Sequence, residues 1–294
     1  MSNPVIIEAA INGGTPKSRN PNSPRTPAEI AQVGLQCFAA GAGIVHNHND
    51  EPVVGGVSEV HAPEPYIEAW RTILRERPNA LLYPTMASGG PGTNIEKRYA
   101  HIAALAEAGV TRIGLVDPGS VNVGPADGDG LPSGNGTYVN TFADARHMFD
   151  TCAKHGLSPS VSIFEPGFLR VALAYHRAGR MPAGALIKLY FGASNWGLPP
   201  TPPSLDAYLA MLEDTGLPWS VAVLGGDLLS LPLAEYALER GGHIRVGLED
   251  YGGAGQPSNL ELVERAVELC QRKGREVATT EDAAATLGIP ALVS

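Results

Sequence analysis

Short apolar runs alternate with amphipathic segments from one end of the chain to the other. The runs predict strands at Val5–Ile11, Ala42–His46, Ala80–Met86, Arg112–Val116, Ser160–Phe164, Ala185–Tyr190, Ser220–Leu224 and Ile244–Leu248. Each is shorter than a typical helix, and most are rich in the β-branched residues of a buried strand. The intervening segments read as helices with explicit start signals. Thr26-Pro27-Ala28-Glu29 is a capping box with proline at the first helical position, leading into Ile30, Val33 and Phe38. Thr93…Glu96 and Ser258…Glu261 repeat the box, and Leu262, Val263, Ala266, Val267, Leu269 and Cys270 keep a helical period. Eight strand-then-helix alternations imply parallel strands, and eight is the number that closes a barrel. The expected fold is therefore α/β, a TIM (β/α)8 barrel forming one domain over residues 1–294. An open doubly wound sheet is the alternative, but no GxGxxG follows the first strand.

Two stretches fall outside the alternation. Residues 117–138 contain Pro-Gly-Ser, Asp-Gly-Asp-Gly and Ser-Gly-Asn-Gly. They predict a long irregular loop, which inside a compact domain serves as a lid or an interface arm. From about 277 to 294 the chain carries a small helix pattern at Thr280-Glu281-Asp282-Ala283, expected to pack on the barrel exterior.

Composition narrows the function classes. With 294 residues and 44% hydrophobic positions the chain can bury one large core, and 35 glycines and 25 prolines imply many ordered turns. A net charge of −9 gives no field for nucleic acid or an anionic membrane, so neither is an expected partner. Cys37, Cys152 and Cys270 are far apart and read as buried thiols of a reducing compartment. No basic leader and no long apolar run is seen, so a cytoplasmic location is expected.

The chemistry is concentrated where the strands end. His46 and His48 close the run Gly43-Ile44-Val45-His46-Asn47-His48. Residues i and i+2 of a strand share a face, so the two imidazoles converge about 7 Å apart at the backbone, within reach of one metal. Paired but unrelated loop histidines are the bland alternative. In a barrel, functional groups gather at the carboxyl ends of the strands. There the sequence nominates Asn12, as a substrate contact, together with Ser88, Glu165, Asn195 and the segment Arg245-Val246-Gly247-Leu248-Glu249-Asp250. Arg245, Gly247 and Glu249 are expected on one face of the eighth strand, with Asp250 exposed just beyond. Strands eight, one and two are neighbours in a barrel, so Glu249 can reach both histidines. Two histidines and a carboxylate leave open positions, as catalytic metal centres do. An acidic pair capping a loop is the plainer reading of Glu249-Asp250. The turn Ser88-Gly89-Gly90-Pro91-Gly92 either presents N–H groups to an anion or is only a tight turn. Glu165 is either a partner orienting a histidine or an acid favoured at a helix start. His243 lies at the opposite end of its strand and reads as structural. Trp196, set among glycine and proline, either walls a pocket or staples a loop.

On these residues the chain resembles the beta-keto acid cleavage enzymes. The similar stretches are Ala9-Ala10-Ile11-Asn12-Gly13, Thr26-Pro27-Ala28-Glu29, Ala40-Gly41-Ala42 through His46-Asn47-His48, Ser88-Gly89-Gly90 and Trp219-Ser220-Val221-Ala222-Val223. The most specific is Gly241-Gly242-His243-Ile244-Arg245-Val246-Gly247-Leu248-Glu249-Asp250, and Ala278-Thr279 also matches. The resemblance implies a TIM barrel holding a divalent metal, usually zinc, on His46, His48 and Glu249. It implies that Asp250 and Arg245 act as a catalytic pair and that Ser88, with Gly89, meets the substrate carboxylate. A further polar contact from the fourth strand end, Ser120 or Asn122, is implied, as are acetyl-CoA as co-substrate and a homotetramer. The chain departs from the pattern in three places. Asn49-Asp50 follow the histidines where an arginine is usual, Gly14-Thr15 stand where an acid often reads a substrate amine, and the loop after the seventh strand, which commonly includes a basic residue, reads Gly225-Gly226-Asp227.

The expected reaction is cleavage of a β-keto acid with acetyl-CoA to acetoacetate and a new acyl-CoA, with Asp250 as base and Arg245 as its holder. The missing acid at Gly14-Thr15 and the apolar surface around Trp196 and Leu198 point to a neutral or apolar keto acid. A metal-dependent hydrolase or lyase working without coenzyme A is the second reading, and a metal-binding protein without catalysis is the third.

Overall fold

Strand order decides between the two architectures. The computed structural model describes residues 3–49, 60–88, 93–192 and 195–289. Its strands are β1 (Ile7–Ala10), β2 (Ile44–Asn47), β3 (Leu82–Pro84), β4 (Ile113–Val116), β5 (Val121–Val123), β6 (Gly136–Tyr138), β7 (Ser158–Ile163), β8 (Leu186–Gly192), β9 (Trp219–Leu224) and β10 (His243–Val246). Eight of them pair side by side in the order β3-β2-β1-β10-β9-β8-β7-β4. The first and last strands of the chain are thus hydrogen-bonded neighbours, with Ile7 beside Ile244 and Glu8 beside Arg245. An open doubly wound sheet does not join its chain ends this way; a barrel does. At the remaining seam, between β3 and β4, the Thr111 hydroxyl donates to the Leu82 carbonyl at 2.7 Å.

Helices cover the outside because each strand must bury its outward face as well as its inward one. The first helix, α1 (Pro27–Ala40), starts on the predicted capping box and buries Ile30, Ala31, Cys37 and Phe38. The box before α8 (Asn259–Arg272) also forms. The third one does not. In α3 (Ile95–Glu107) the cap is Asn94, whose side chain accepts from the Lys97 amide, so that helix begins one residue later than the Thr93 pattern suggested. After α8, the short helix α9 (Thr280–Leu287) buries Ala283 and Leu287, and Val5 pairs in parallel with Val277, tying the end of the chain to its beginning. The three cysteines are buried and unpaired with one another. No helix among the described residues is long and apolar enough to cross a membrane.

The stretch 117–138, expected to be irregular, instead carries an antiparallel hairpin, with Val121 opposite Tyr138 and Val123 opposite Gly136. Three-residue strands embedded in glycine and proline leave almost no periodic signal. The Ser120 hydroxyl joins the base of this arm to Asn140, and the Tyr138 hydroxyl donates to Asp117 Oδ2 at 2.6 Å.

Candidate active site

Glu249 reaches the histidines from a turn rather than from a strand. The ladder of β10 stops at Val246, and Gly247 turns the chain inward with φ +136°. A Cβ at Gly247 would lie 2.1 Å from the Ala10 carbonyl oxygen, so only glycine fits. The Glu249 amide then donates to that carbonyl at 3.1 Å. Thr15 and Asn259 brace the turn: the Thr15 hydroxyl donates to the Leu248 carbonyl at 2.8 Å, and the Leu248 amide donates to Asn259 Oδ1 at 3.0 Å. Gly13 leaves room for the acid itself, because a Cβ there would sit 2.3 Å from Glu249 Cγ.

On the other side, β2 ends at Asn47 and delivers His46 and His48 to the same mouth. Asn12 holds the second histidine by its backbone, accepting from the His48 amide at 2.8 Å and donating to the His48 carbonyl at 2.9 Å. Its remaining bonds go to Gly13 and Pro24. Nominated as a substrate contact, Asn12 is wholly occupied in positioning the loop. His46 Nδ1 lies 3.2 Å from the Tyr83 carbonyl, an acceptor that fixes the proton on Nδ1 and leaves the Nε2 lone pair facing Glu249. Burial pushes the His46 imidazole down to about 4, against the pull of Glu249, so it is neutral at physiological pH.

His46 Nε2 is 3.1 Å from Glu249 Oε2, and His48 Nε2 is 3.3 Å from Glu249 Oε1. The three ligand atoms lie within 4.8 Å of one another. Ligands bonded at about 2.1 Å in a tetrahedral shell stand roughly 3.4 Å apart, so the spacing suits a divalent ion. Glu249 Oε2 is buried and makes no hydrogen bond, which is the state of an atom waiting for a cation. The residues present therefore fit a metal.

Beneath this cluster lies a buried ionic network of which the sequence indicated only the Arg245–Asp250 pair, and not Glu8, Tyr83 or Lys188. Arg245 is fully enclosed. It reaches Glu8 Oε1 at 2.7 Å, Glu249 Oε1 at 3.0 Å and Asp250 Oδ2 at 2.8 Å, with a further bond to Asp250 Oδ1 at 3.1 Å. The Tyr83 hydroxyl donates to Glu8 and accepts from Lys188 Nζ at 2.8 Å. Burial alone would raise the Glu8 carboxyl, but Lys188 and Arg245 outweigh it and hold it below its ordinary value. Glu249 is likewise held well below the usual range, because Arg245 and both histidines overcome its burial. Asp250 behaves differently: burial, opposed by Arg245, leaves it up at about 6. Expected to be exposed, Asp250 is in fact only 4% exposed and gripped by Arg245 through both oxygens. The clue to this network was present in the sequence. Glu8 and Lys188 each interrupt an otherwise apolar strand, and a charge buried there must find a partner.

A cavity of about 300 Å³ opens over this cluster, with His46, His48, Glu249, Ser88, Arg245 and Lys188 on its lining, while Asp250 lies behind Arg245 and off the lining. Ser88 therefore joins the metal cluster and Arg245 at one cavity. Gly89, its expected companion, lies outside the described residues. Asn122 is exposed on the outer face of the arm, where its side chain accepts from the Thr137 hydroxyl, and it does not line this cavity. Glu165 caps the helix α5 (Pro166–Arg177) and accepts from the Gly197 amide at 2.9 Å, holding the loop that carries Trp196; it touches neither histidine. His243 accepts from the Ile6 amide at 3.0 Å, far from the mouth.

A model of the family described as "beta-keto acid cleavage enzyme" matches residues 4–289. The chain belongs to that family. The 3-keto-5-aminohexanoate cleavage enzyme of Acetoanaerobium sticklandii is 29% identical over 290 residues, covering 97% of this chain and 98% of that protein. The 3-oxoadipate:acetyl-CoA acetyltransferase of Cupriavidus necator is 28% identical, covering 99% and 97%. Among solved structures, a complex of ObcA with oxaloacetate superposes with a TM-score of 0.72 at 18% identity, over 94% of this chain and 69% of that one, which establishes the shared barrel. The chain thus matches the family over nearly its whole length.

Proposed function

We propose that this enzyme transfers the acyl part of a β-keto acid to coenzyme A at the expense of acetyl-CoA, using a divalent metal, most simply zinc, on His46, His48 and Glu249. The bond between C2 and C3 of the keto acid breaks and a new one joins C2 to the acetyl carbonyl. The CoA thiolate moves to the released acyl carbon, and the products are acetoacetate and a new acyl-CoA. One observation carries the reading. Three ligand atoms, one of them a buried carboxylate oxygen without a hydrogen bond, converge on a cavity that Ser88 and two cations also line. The relative whose name specifies 3-oxoadipate and acetyl-CoA supports the choice of co-substrate.

A divalent ion at this position supplies Lewis-acid polarisation of the keto oxygen, which makes the adjacent methylene acidic. The protein supplies the rest. Ser88 meets the substrate carboxylate. Asp250 takes the proton from C2: with its carboxyl at about 6 it is ionised at neutral pH yet basic enough to accept. Arg245 holds Asp250 through two bonds and, tied to Glu8 and Tyr83 below, cannot follow a departing charge. Because neighbouring carboxylates surround Arg245, the proton transfer leaves it charged and in place. Elemental analysis of the purified protein, followed by detection of acyl-CoA from β-keto acids and acetyl-CoA, tests the proposal. One metal per chain and CoA-dependent acetoacetate formation are expected; keto-acid breakdown that proceeds equally well without acetyl-CoA would overturn it in favour of a hydrolase or lyase.

A further inference from the structure

The cavity has two chemically distinct sides. Its metal side is built from β2 and the turn after β10. In the barrel, β7 and β8 stand across from β1 and β2, and they contribute Phe164, Tyr190 and Trp196 to the far wall. These rings pack on one another: Phe164 stacks on Tyr190 with centroids 4.6 Å apart, and Trp196 meets Phe164 edge-on at 5.7 Å. The hairpin arm completes that side. Val121 and Val123, two residues apart and so on one face of β5, line the cavity together with Tyr138 of β6. Val123 is 43% exposed, an apolar side chain at the cavity wall that the described residues leave largely uncovered.

Resting on the function proposed above, we propose that the arm and the aromatic wall form the site for the substrate's side chain beyond C3, that this side chain is uncharged and apolar, and that the arm is what selects it. The charged groups on the lining favour an uncharged tail. Lys188 is already bonded to the Tyr83 hydroxyl, and Arg245 is shared by Glu8, Glu249 and Asp250, so the cations of the lining are committed to partners within the protein. Asp117 accepts from Tyr138 through Oδ2 and leaves Oδ1 buried without a hydrogen bond; burial raises its carboxyl, which favours the neutral acid and weakens its hold on an ammonium group. The tail then lies against rings that give large contact area without a polar demand.

The test is a series of straight-chain 3-oxo acids from acetoacetate to 3-oxooctanoate, assayed with acetyl-CoA on the metal-loaded enzyme. Acetoacetate regenerates itself, so its turnover is followed as label passing from acetyl-CoA into acetoacetate. kcat/KM should climb about fourfold per added methylene until the cavity is filled. Val123→Asp, on a surface position of the arm, should cut the ratio of 3-oxooctanoate to acetoacetate roughly tenfold, and Trp196→Ala should do the same from the opposite wall. A flat series, a climb that survives in both variants, or faster turnover of 3-oxoadipate or an ammonium-bearing keto acid than of 3-oxohexanoate overturns the proposal. If no label reaches acetoacetate, the acetyl-CoA reaction is wrong, and the tail site is read instead from tryptophan fluorescence of the wild type against Trp196→Phe. Selective binding of the longer acid then supports it, and equal binding of 3-oxooctanoate and acetoacetate rejects it.

Discussion

The metal side and the arm side of one cavity are built on opposite principles. On the metal side the polar groups are held by several partners each, apart from the Glu249 oxygen left for the cation: Asn12 spends its side chain on the His48 backbone, Tyr83 orients His46, and Arg245 is shared by three carboxylates. A buried charge tolerates few neighbours, so each substitution there disturbs several partners at once. The arm side is held by a three-residue ladder and a few anchors, and its contribution is apolar area. Area is additive and forgiving. Fixed chemistry and variable substrate choice can therefore share one barrel without either constraining the other.

The contrast breaks most sharply at the metal. A His46→Ala, His48→Ala double variant should lose nearly all bound metal and all measurable turnover, since Glu249 alone offers one ligand. Metal analysis after gel filtration reads it; a stoichiometric ion surviving in that variant would remove the site altogether. The next effect is smaller. Asp250→Asn should keep the metal and lose about 10²–10⁴ in turnover, the usual contribution of a positioned base. Loss of metal from Asp250→Asn with both histidines intact would mean that the roles of Glu249 and Asp250 are exchanged.

Below these lies a stability prediction. Glu8→Gln should lower the denaturation free energy toward the lower end of about 3–5 kcal/mol, the range for breaking a buried ion pair, because Asp250 and Glu249 still partner Arg245. The midpoint of a urea titration measures it, and a change below about 0.5 kcal/mol, the scale of surface substitutions, would show that Glu8 is a bystander. A pH effect of similar size is expected from His243. Burial depresses its imidazole to about 4, so the unfolded chain binds more protons than the folded one between pH 6.5 and 4. Its contribution is complete above pH 6.5 and lost as the pH falls through 4, on the order of 3 kcal/mol in all. His243→Gln should flatten the acid limb of stability against pH; an unchanged limb would contradict the buried neutral ring.

Legibility in the sequence follows the same division. The strands were readable because each is a continuous apolar run, and the histidine pair because a strand end fixes which residues share a face. Glu249 was placed near the histidines for an incomplete reason: its approach depends on Gly247 passing close to the Ala10 carbonyl and on Gly13 leaving room for the acid's own side chain, and no periodicity encodes a turn of that kind. Glu8, Lys188 and Tyr83 were missed because a pairing between residues far apart in the chain exists only once the barrel is closed. The arm was missed for the converse reason. Its strands are too short to impose a pattern, and they are set by anchors at Asp117, Ser120 and Asn140.

The smallest expected effect separates the two faces of a single strand. Asn122 sits between Val121 and Val123, so its side chain leaves β5 on the opposite side, away from the cavity they line. It accepts from Thr137 across the hairpin and is otherwise exposed. An exposed side-chain bond of this kind contributes about 1 kcal/mol or less to the hairpin and nothing to the wall. Asn122→Ala should therefore change kcat/KM by less than about twofold for every keto acid in a series, long or short, because truncating a solvent-facing side chain leaves the apolar area presented to the tail intact. The neighbouring Val123→Asp acts on the same backbone from the other side and should alter the series selectively. Equal effects from the two substitutions would mean that the arm acts through its overall position. A large, substrate-selective effect from Asn122→Ala alone would mean that the strand turns its other face to the substrate when the complex forms.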